Sequence, residues 1–402
     1  MNYTAKYAFN TLVLLTAFAI LQGCGRTRMS FANTDTGVAG LGLPANEKLT
    51  CIKEHYYQPN QELTKKLDIL FVTDTSGSLD TERSAIANGI GNFISQLSST
   101  ADYQIAVTLA HGPKSSRFGQ LYKAGTEPTV LRSKELSISN IRTHLEKKLT
   151  SIQTDADTDG GEAGLLSLNK AMDAVRLAEI RAAHGFFRND AALAIVFVSD
   201  ENDICAVYPA GVTRVYDPEG KELPAFNNYC KDKLNASTVY SRLLDIQGAN
   251  PLLLSAIVYS NKATVVKAGE NEFAYGYSDI VGLANGKMVD IAANDIPTGL
   301  ADIGKAAALK MTLRTDYKLS YLNVDESTIT AEVDSVKSKF SFDAGNNLLR
   351  LLSNTGKADS KVVLSYCLDI NSTATLAKPT TMSKIQTDNT AAFVPKIEVF
   401  TK

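Results

Sequence analysis

The chain has 402 residues, a formal net charge of −2 and 44% hydrophobic residues. This composition is typical of a globular protein and excludes a disordered or collagen-like chain. Because the charge is nearly balanced and the sequence has no block of Lys and Arg, we do not expect it to bind nucleic acid.

The N-terminal segment has the pattern of an export signal. Lys6 is followed by an almost wholly apolar stretch, residues 8–21, which is too short to span a membrane as a mature helix. The sequence LQGC at residues 21–24 resembles a bacterial lipobox, in which cleavage leaves Cys24 as the lipidated N-terminus. We predict a lipoprotein signal peptide over residues 1–23; an ordinary signal peptide with a chance cysteine is the alternative.

The residues after the cysteine predict a tether and a location. Residues 24–48 are rich in Gly, Ser, Thr and Asn, which is typical of a flexible tether. The residue after the cysteine is Gly25 and not Asp. By resemblance to enterobacterial sorting, this implies the outer membrane of a bacterial cell envelope. No later apolar segment approaches the length of a membrane span, so the lipid would be the only membrane contact.

Strand and helix patterns then alternate as far as Leu309. The predicted strands are residues 69–72, 103–109, 193–198, 252–258 and 288–292, with short strands within 121–131. The predicted helices are residues 81–97, 141–152, 162–177, 238–246, 278–284 and 295–309. Such alternation predicts an α/β fold, a doubly wound and mainly parallel sheet covered on both faces. We place this domain at residues 49–310, with an insertion at residues 205–230.

The pattern changes after this region. Period-two alternation with intervening turn residues predicts a small antiparallel β domain over residues 311–370. Residues 371–402 form a polar C-terminal tail, which we expect to be partly ordered near the sequence FVPKIEVF.

Four cysteines remain once Cys24 is set aside. In an exported protein, an even number of cysteines predicts disulfides, and no Cys-x-x-Cys spacing supports a zinc site. Cys205 and Cys230 bracket the insertion, so we predict that they pair. Cys51 then pairs with Cys367.

Polar side chains follow two of the predicted strands. Asp74, Ser76 and Ser78 come after the first strand, and Asp200 ends the strand at residues 193–198. Parallel strands present their carboxyl ends at one edge of the sheet, where ligands bind in such folds. Asp, Ser and Gly are also common in simple turns, but the second carboxylate at Asp200 favours a metal site.

These residues carry a family resemblance. The pattern Asp-x-Ser-x-Ser at residues 74–78 resembles the metal-ion-dependent adhesion site of von Willebrand factor A domains. The sequence VFVSDEND at residues 196–203 resembles the strand with that site's last aspartate, and YSDIVGLANGKMVDI at residues 277–291 resembles the closing helix, turn and strand. The resemblance covers about residues 67–309 and implies the Rossmann-like fold of that family, often followed in bacterial members by a small β domain.

The resemblance also implies a threonine ligand from a loop before a helix. Thr154 and Thr158 are candidates, and we assign the role to Thr158 because it lies nearer the predicted helix. The predicted metal ligands are therefore Asp74, Ser76, Ser78, Thr158 and Asp200. Their oxygens suit Mg²⁺ or Mn²⁺. A position left open would accept an Asp or Glu of a protein partner, so adhesion or protein–protein interaction is the expected function.

Two neighbouring features leave alternatives open. Glu201 and Asp203 could bind a second cation such as Ca²⁺, or they could form a solvated acidic loop. The insertion has four aromatic residues that either form its own small core or anchor a partner: Tyr208, Tyr216, Phe226 and Tyr229.

Two other classes of function compete with adhesion. A metal-dependent envelope hydrolase is one, but Ser76 stands where haloacid-dehalogenase-like phosphatases need a second aspartate, and no motif contains a histidine. The four histidines are His55, His111, His144 and His184. A structural scaffold lipoprotein with a vestigial metal site is the other class. We expect a protein that is not an enzyme.

Overall fold

The computed structural model describes residues 49–59, 63–152, 162–214, 222–231, 234–248, 250–265, 272–293, 295–369 and 395–401. The predicted signal peptide and tether, Thr154, Thr158 and Tyr216 lie outside these residues. No helix within the described ranges is both long and apolar enough to cross a membrane.

The first structural unit is a six-stranded, mainly parallel sheet, as the sequence predicts. Its strands are β2 (Lys66–Thr73), β3 (Asp102–Leu109), β4 (Leu131–Arg132), β5 (Ala192–Val198), β6 (Leu252–Val258) and β7 (Lys287–Asp290). Their order is β4-β3-β2-β5-β6-β7, and only the edge strand β4 runs antiparallel to its neighbour. All seven residues of β5 are buried, which is typical of a strand covered on both faces.

Helices cover both faces of this sheet. They are α1 (Asp80–Ile94), α2 (Ile138–Thr150), α3 (Gly164–Ala171), α4 (Ala174–His184), α5 (Glu222–Ala225), α6 (Ala236–Gln247), α7 (Tyr277–Leu283) and α8 (Ile296–Thr312). Side chains of α1, α2 and α8 pack with Ile69 and Phe71 of β2 on one face. Those of α3, α4, α6 and α7 pack with Leu70 and Val72 on the other. Successive residues of β2 therefore enter opposite cores.

One predicted helix is divided in two. The pattern over residues 162–177 predicts a single helix, whereas α3 ends at Ala171 and α4 begins at Ala174. The reason is Asp173, whose Oδ1 accepts a hydrogen bond from the backbone N–H of Arg176, 2.8 Å away. An aspartate at this position caps a new helix and so interrupts the previous one.

The second structural unit is antiparallel. Its strands are β1 (Thr50–Tyr57), β8 (Asp316–Lys318), β9 (Val324–Val333), β10 (Val336–Lys337), β11 (Phe340–Asp343), β12 (Leu348–Leu351), β13 (Lys361–Leu368) and β14 (Lys396–Thr401). One sheet has the order β10-β9-β13-β1-β14, and a smaller one has the order β11-β12-β8. A shared core that includes Ile52, Tyr317, Leu349 and Tyr366 lies between them.

This pairing differs from the predicted domain boundaries. β1 precedes the parallel sheet in the chain but pairs with β13 and β14, and β14 lies in the predicted tail. The antiparallel unit therefore takes strands from both sides of the α/β unit, which is inserted between β1 and β8. No strand is predicted at residues 50–57, because the local sequence shows no period-two alternation and the partner strand lies about 300 residues away.

Both predicted disulfides are present. Cys51 is bonded to Cys367 and joins β1 to β13, and Cys205 is bonded to Cys230 across the insertion. The first bridge links chain positions 316 apart, so it closes a covalent ring around the whole α/β unit.

A buried ionic cluster joins the two units. Arg350 of β12 donates from Nη1 to the carbonyl oxygen of Leu283 at the end of α7, 2.6 Å away. Its Nη2 donates to the hydroxyl of Tyr240 in α6, and its Nε lies 2.6 Å from Oδ1 of Asp316. Lys310 of α8 contacts the other oxygen of Asp316 at 3.1 Å. Burial alone would raise the pKa of Asp316, but the charges of Lys310 and Arg350 outweigh it and lower that pKa.

Candidate metal centre

The candidate centre lies where β2, β3 and β5 end. The N–H of Asp74, one residue beyond β2, donates to the carbonyl oxygen of Val198 at the end of β5, 2.9 Å away. On the other side, the N–H of Ala110 donates to the carbonyl oxygen of Thr73 at 2.8 Å. The backbone ladder thus fixes Asp74 at the carboxyl edge of the sheet, where its side chain is fully buried.

The loop around Asp74 is organised by its own carboxylate. Oδ1 accepts from the N–H of Ser76 at 2.7 Å, and Oδ2 accepts from the hydroxyl of Ser199 at 3.0 Å. The hydroxyl oxygens of Ser76 and Ser78 lie 2.9 Å apart on the exposed side of the loop. The turn predicted from the sequence therefore brings the carboxylate and both hydroxyls to one point of the rim.

Arg83 supports this loop from below. Its buried guanidinium donates to the carbonyl oxygens of Asp74 and Ser76, at 3.1 and 2.8 Å, and to Oδ1 of Asp80 at 2.6 Å. The local sequence gives no sign of this role, because an arginine in the first turn of α1 resembles an ordinary helix-surface residue. Its contacts show that it fixes the direction of the loop carbonyls.

Asp74 and Asp200 are both buried, and the charge of Asp200 acts on Asp74. Burial and the charge of Asp200 raise the pKa of Asp74 to about 7. Burial also raises the pKa of Asp200 to about 6, although hydrogen bonding from Ser78 and the charge of Arg83 act in the opposite direction. Such shifts indicate a pair of carboxylates that a nearby cation would stabilise in the charged form.

Two glutamates extend the acidic rim. One carboxylate oxygen from each of Asp74, Glu162 and Glu201 lies within 4.8 Å of the others, and all three residues are buried. From the sequence, Glu201 belongs either to an accessory cation site or to a solvated acidic loop, and Glu162 is only the start of a predicted helix. Glu162 reaches the rim because Ala163 donates to the carbonyl oxygen of Ala110 at 2.7 Å, just beyond β3. Local sequence carries no signal for that contact.

Asp203 has a supporting position. Its Oδ2 accepts from the N–H of Leu165 in α3 at 2.6 Å, and its Oδ1 accepts from the N–H of Cys205 at 2.9 Å. The residue is fully buried, and burial raises its pKa to about 6 against these hydrogen bonds. Asp203 thus ties the start of α3 to the start of the insertion.

Close packing holds α3 in the same place. The N–H of Gly164 donates to the hydroxyl oxygen of Tyr277 at 3.2 Å. A Cβ at this glycine would lie 2.6 Å from that oxygen, so a larger residue would push α3 and α7 apart.

His111 lies behind the loop. Its Nε2 is 3.1 Å from the hydroxyl of Thr75, its Nδ1 is 2.9 Å from the hydroxyl of Ser115, and the side chain is fully buried. Both ring nitrogens are therefore used to position neighbouring loops. Of the other histidines, His144 contacts Glu127 and His55 contacts Glu398. Neither contact involves a residue of the rim.

The insertion forms a small folded lobe beside the rim. Phe226 and Tyr229 pack against a core that contains the Cys205–Cys230 bridge, which favours the internal-core interpretation for these two residues. The guanidinium of Arg214 lies over the ring of Tyr208 at 3.8 Å and donates to the carbonyl oxygen of Ile204 at 2.9 Å. A shallow groove of about 530 Å³ runs along the lobe.

The residues present fit a hard divalent cation. Carboxylates and hydroxyls are the oxygen ligands that Mg²⁺ and Mn²⁺ prefer, and the raised pKa values of Asp74 and Asp200 show charge that such an ion would neutralise. The structure brings Asp74, Ser76, Ser78 and Asp200 to one rim, while Thr158 lies outside the described residues.

No protein-family model and no curated protein matches this sequence. Among solved structures, it is similar to a von Willebrand factor type A protein from Catenulispora acidiphila, with 11% identity and a TM-score of 0.34; the match covers 82% of this chain and 68% of that one. It is also similar to the pilus adhesin RrgA from Streptococcus pneumoniae, with 10% identity, a TM-score of 0.28, and coverage of 90% and 64%. It is similar as well to the pilus adhesin SpaC from Lactobacillus rhamnosus GG, with 12% identity and a TM-score of 0.30; the match covers 81% of this chain and 44% of that one. At these identities and TM-scores, the similarity assigns no function.

Proposed function

We propose that the protein binds Mg²⁺ or Mn²⁺ at the rim and uses the ion to hold a carboxylate of a protein partner. The observation that carries this proposal is the pair of buried aspartates, Asp74 and Asp200, at the ends of adjacent parallel strands with two hydroxyls beside them. The proposed ligands are Asp74, Ser76, Ser78, Thr158 and Asp200. The ion would supply a positive centre that attracts an outside carboxylate.

The protein's own groups prepare that centre. Arg83 holds the loop carbonyls, Ser199 and the N–H of Ser76 orient the Asp74 carboxylate, and Asp203 anchors α3. Glu162 and Glu201 place further negative charge near the same point, and we include them as additional oxygen donors. These carboxylates are also candidate ligands for an accessory Ca²⁺, because Ca²⁺ accepts irregular oxygen shells.

Binding fits the rim better than catalysis. His111 is the histidine adjacent to the metal loop, but it is fully buried and both of its nitrogens contact hydroxyls of the protein. It therefore has no position from which to move a substrate proton. A metal-dependent hydrolase and a scaffold lipoprotein remain the alternatives, and a Mg²⁺-dependent phosphatase assay separates the first of these from adhesion.

Calorimetric titration of Mg²⁺ and Mn²⁺ into the wild type and Asp74→Ala tests the metal site. We expect heat of binding from the wild type and none from the variant. Glu326→Ala, which removes an exposed carboxylate of β9, is the matched control and should bind like the wild type. Equal heats from all three proteins, or none at millimolar metal, would contradict the proposal.

A pull-down from envelope extracts tests the partner. Capture should require Mg²⁺, fail with EDTA and fail with Asp74→Ala. A partner retained through the metal should lose binding when its own contacting Asp or Glu is replaced by the amide, because a hard cation prefers a charged oxygen. Capture that persists in EDTA would show contact elsewhere on the protein.

The proposed location is the bacterial outer membrane, through a lipid on Cys24. Cys24→Ser should remove the acyl mass from the protein and move it to the soluble fraction. Membrane retention of this variant, together with a wild type that carries no acyl group, would contradict lipid anchoring.

A further inference from the structure

The C-terminal strand β14 lies at one end of the five-stranded sheet. It pairs antiparallel with β1, with Thr50 opposite Thr401 and His55 opposite Lys396. The side chains of residues 396–400 are all exposed. Exposed edge strands with apolar side chains are surfaces to which other chains can add a strand.

The core of the antiparallel unit ends beneath β1. Ile52 and Glu54 of β1 are at most 1% exposed, whereas the residues opposite them, Val399 and Ile397, are 59% and 38% exposed. The apolar residues of β14 are thus less buried than those of β1, so packing holds β14 less firmly than it holds β1.

The side-chain contacts of β14 lie on the opposite face. Nε2 of His55 is 3.2 Å from Oε2 of Glu398, and Nζ of Lys53 is 5.5 Å from the centroid of the Phe400 ring. Glu398 and Lys53 are exposed, and contacts that involve exposed charged side chains are weak. The backbone ladder with β1 is therefore the main attachment of this strand.

The edge of β1 is fixed by contacts that do not involve β14. On its other side β1 pairs with β13 from Cys51 to Tyr57, and the Cys51–Cys367 bridge locks that pair covalently. Glu54 accepts hydrogen bonds from the hydroxyl of Tyr366 and from the N–H of Ser320, the latter at 2.7 Å. β1 is therefore held firmly in its sheet, whereas β14 is held less firmly.

We propose that this edge of β1 is a strand-acceptor site that takes the C-terminal strand of a second copy of this chain in place of its own. The incoming strand has the same sequence, so it brings the same register, the same ion pair and the same ring contact. Exchange of an identical element needs no new interface. This inference is independent of the metal site.

Concentration decides which strand occupies the edge. The chain's own strand belongs to the same molecule as β1, so its pairing with β1 does not depend on the protein concentration. We therefore expect self-occupancy in dilute solution and exchange between copies where the protein is crowded.

Cysteine cross-linking of full chains tests the exchange. Lys53 and Glu398 lie opposite each other in the ladder. One preparation carries Lys53→Cys and a second carries Glu398→Cys, and the two are mixed at increasing concentration under mild oxidation. The expected result is an interchain disulfide whose yield rises with concentration, identified by peptide mapping.

Two controls make the outcome decisive. Lys337→Cys replaces Lys53→Cys in a parallel mixture, because Lys337 is equally exposed but lies in β10 at the other end of the same sheet; the cross-link should be lost. A single chain with both Lys53→Cys and Glu398→Cys should close an internal disulfide. Internal closure without interchain product overturns exchange, as does an equal yield with Lys337→Cys. If neither the interchain nor the internal disulfide forms, the pairing of β14 with β1 is itself wrong.

Discussion

Carboxylates at two places in this protein have opposite surroundings. At the junction of the two units, Asp316 contacts both Arg350 and Lys310, which lower its pKa. At the rim, burial and mutual repulsion raise the pKa of Asp74 to about 7, even though Arg83 lies below the loop.

The difference identifies what each cluster does. The junction carries its own cations, so it is complete and acts as a structural lock between α6, α7 and the antiparallel unit. The guanidinium of Arg83 at the rim is directed mainly to loop carbonyls. The raised pKa of Asp74 is consistent with the cation site that we propose at this rim, because a bound cation would favour the charged form of the carboxylate.

Removal of a junction cation should have the largest effect on stability. Arg350→Ala leaves Asp316 with Lys310 alone and removes the contact with α7, so we expect a loss of about 3–5 kcal/mol in the free energy of unfolding. Urea denaturation measures it. Lys396→Ala, whose exposed ammonium lies 3.5 Å from Glu398, is the control and should change stability by less than about 1 kcal/mol. A loss as small as the control's would mean that the junction is not a lock.

Removal of a rim carboxylate should act through the metal instead. Metal at 100 times its dissociation constant stabilises a protein that binds it only when folded by about 2.7 kcal/mol. Asp74→Ala should abolish that gain and change the metal-free stability little, because relief of the repulsion with Asp200 offsets the loss of the hydrogen bonds from Ser76 and Ser199. Thermal unfolding with Mg²⁺ and with EDTA measures both quantities. A large loss in EDTA would show that Asp74 is needed for the fold.

The two clusters should respond to pH with opposite sign. The pKa values of Asp74 and Asp200 are raised in the folded state, so their contribution to stability is present near pH 4 and lost as the pH rises towards about 7 and 6. The pKa of Asp316 is lowered, so its contribution is present above pH 4 and lost as the pH falls further. Each proton contributes at most about 1.4 kcal/mol per pH unit.

Urea midpoints in EDTA across this range, for the wild type, Asp74→Asn and Arg350→Ala, separate the components. Asp74→Asn should flatten the decline towards neutral pH, and Arg350→Ala should weaken the loss in acid. Identical pH profiles for the three proteins would remove the distinction between the clusters.

Loss of one hydroxyl should have the smallest effect. Ser76→Ala removes a neutral oxygen and leaves the carboxylates in place, so we expect metal affinity to fall by about tenfold or less, or about 1.4 kcal/mol. Titration calorimetry beside Asp74→Ala provides the comparison. An effect as large as that of Asp74→Ala would mean that hydroxyl ligation, rather than charge, dominates the site.

The sequence was sufficient where the place of a side chain follows from the position of its strand. Asp74, Ser76, Ser78 and Asp200 could be placed together because they follow apolar strands, and the ends of parallel strands share an edge. The alternation of strands and helices likewise predicted the parallel sheet.

Long-range contacts account for what could not be predicted. Glu162 reaches the rim because the next residue, Ala163, donates a backbone hydrogen bond to Ala110. β1 pairs with residues 361–368, which lie about 300 positions away in the chain. Arg83 turns inward because the carbonyl oxygens of Asp74 and Ser76, just beyond β2, accept hydrogen bonds from its guanidinium. None of these contacts leaves a periodic or spacing signal in the local sequence, since each depends on how distant segments pack.

The Cys51–Cys367 bridge has a mechanical consequence. A pulling force that enters the chain from its N-terminal side reaches Cys51 before it reaches either connection to the α/β unit. The bridge divides that force between two covalent routes, one through β1 and one through β13. Neither strand can be peeled from the other past the bridge, so a pull between the N-terminal side and the rim cannot lengthen the molecule by unravelling the β1–β13 pair from its bridged end.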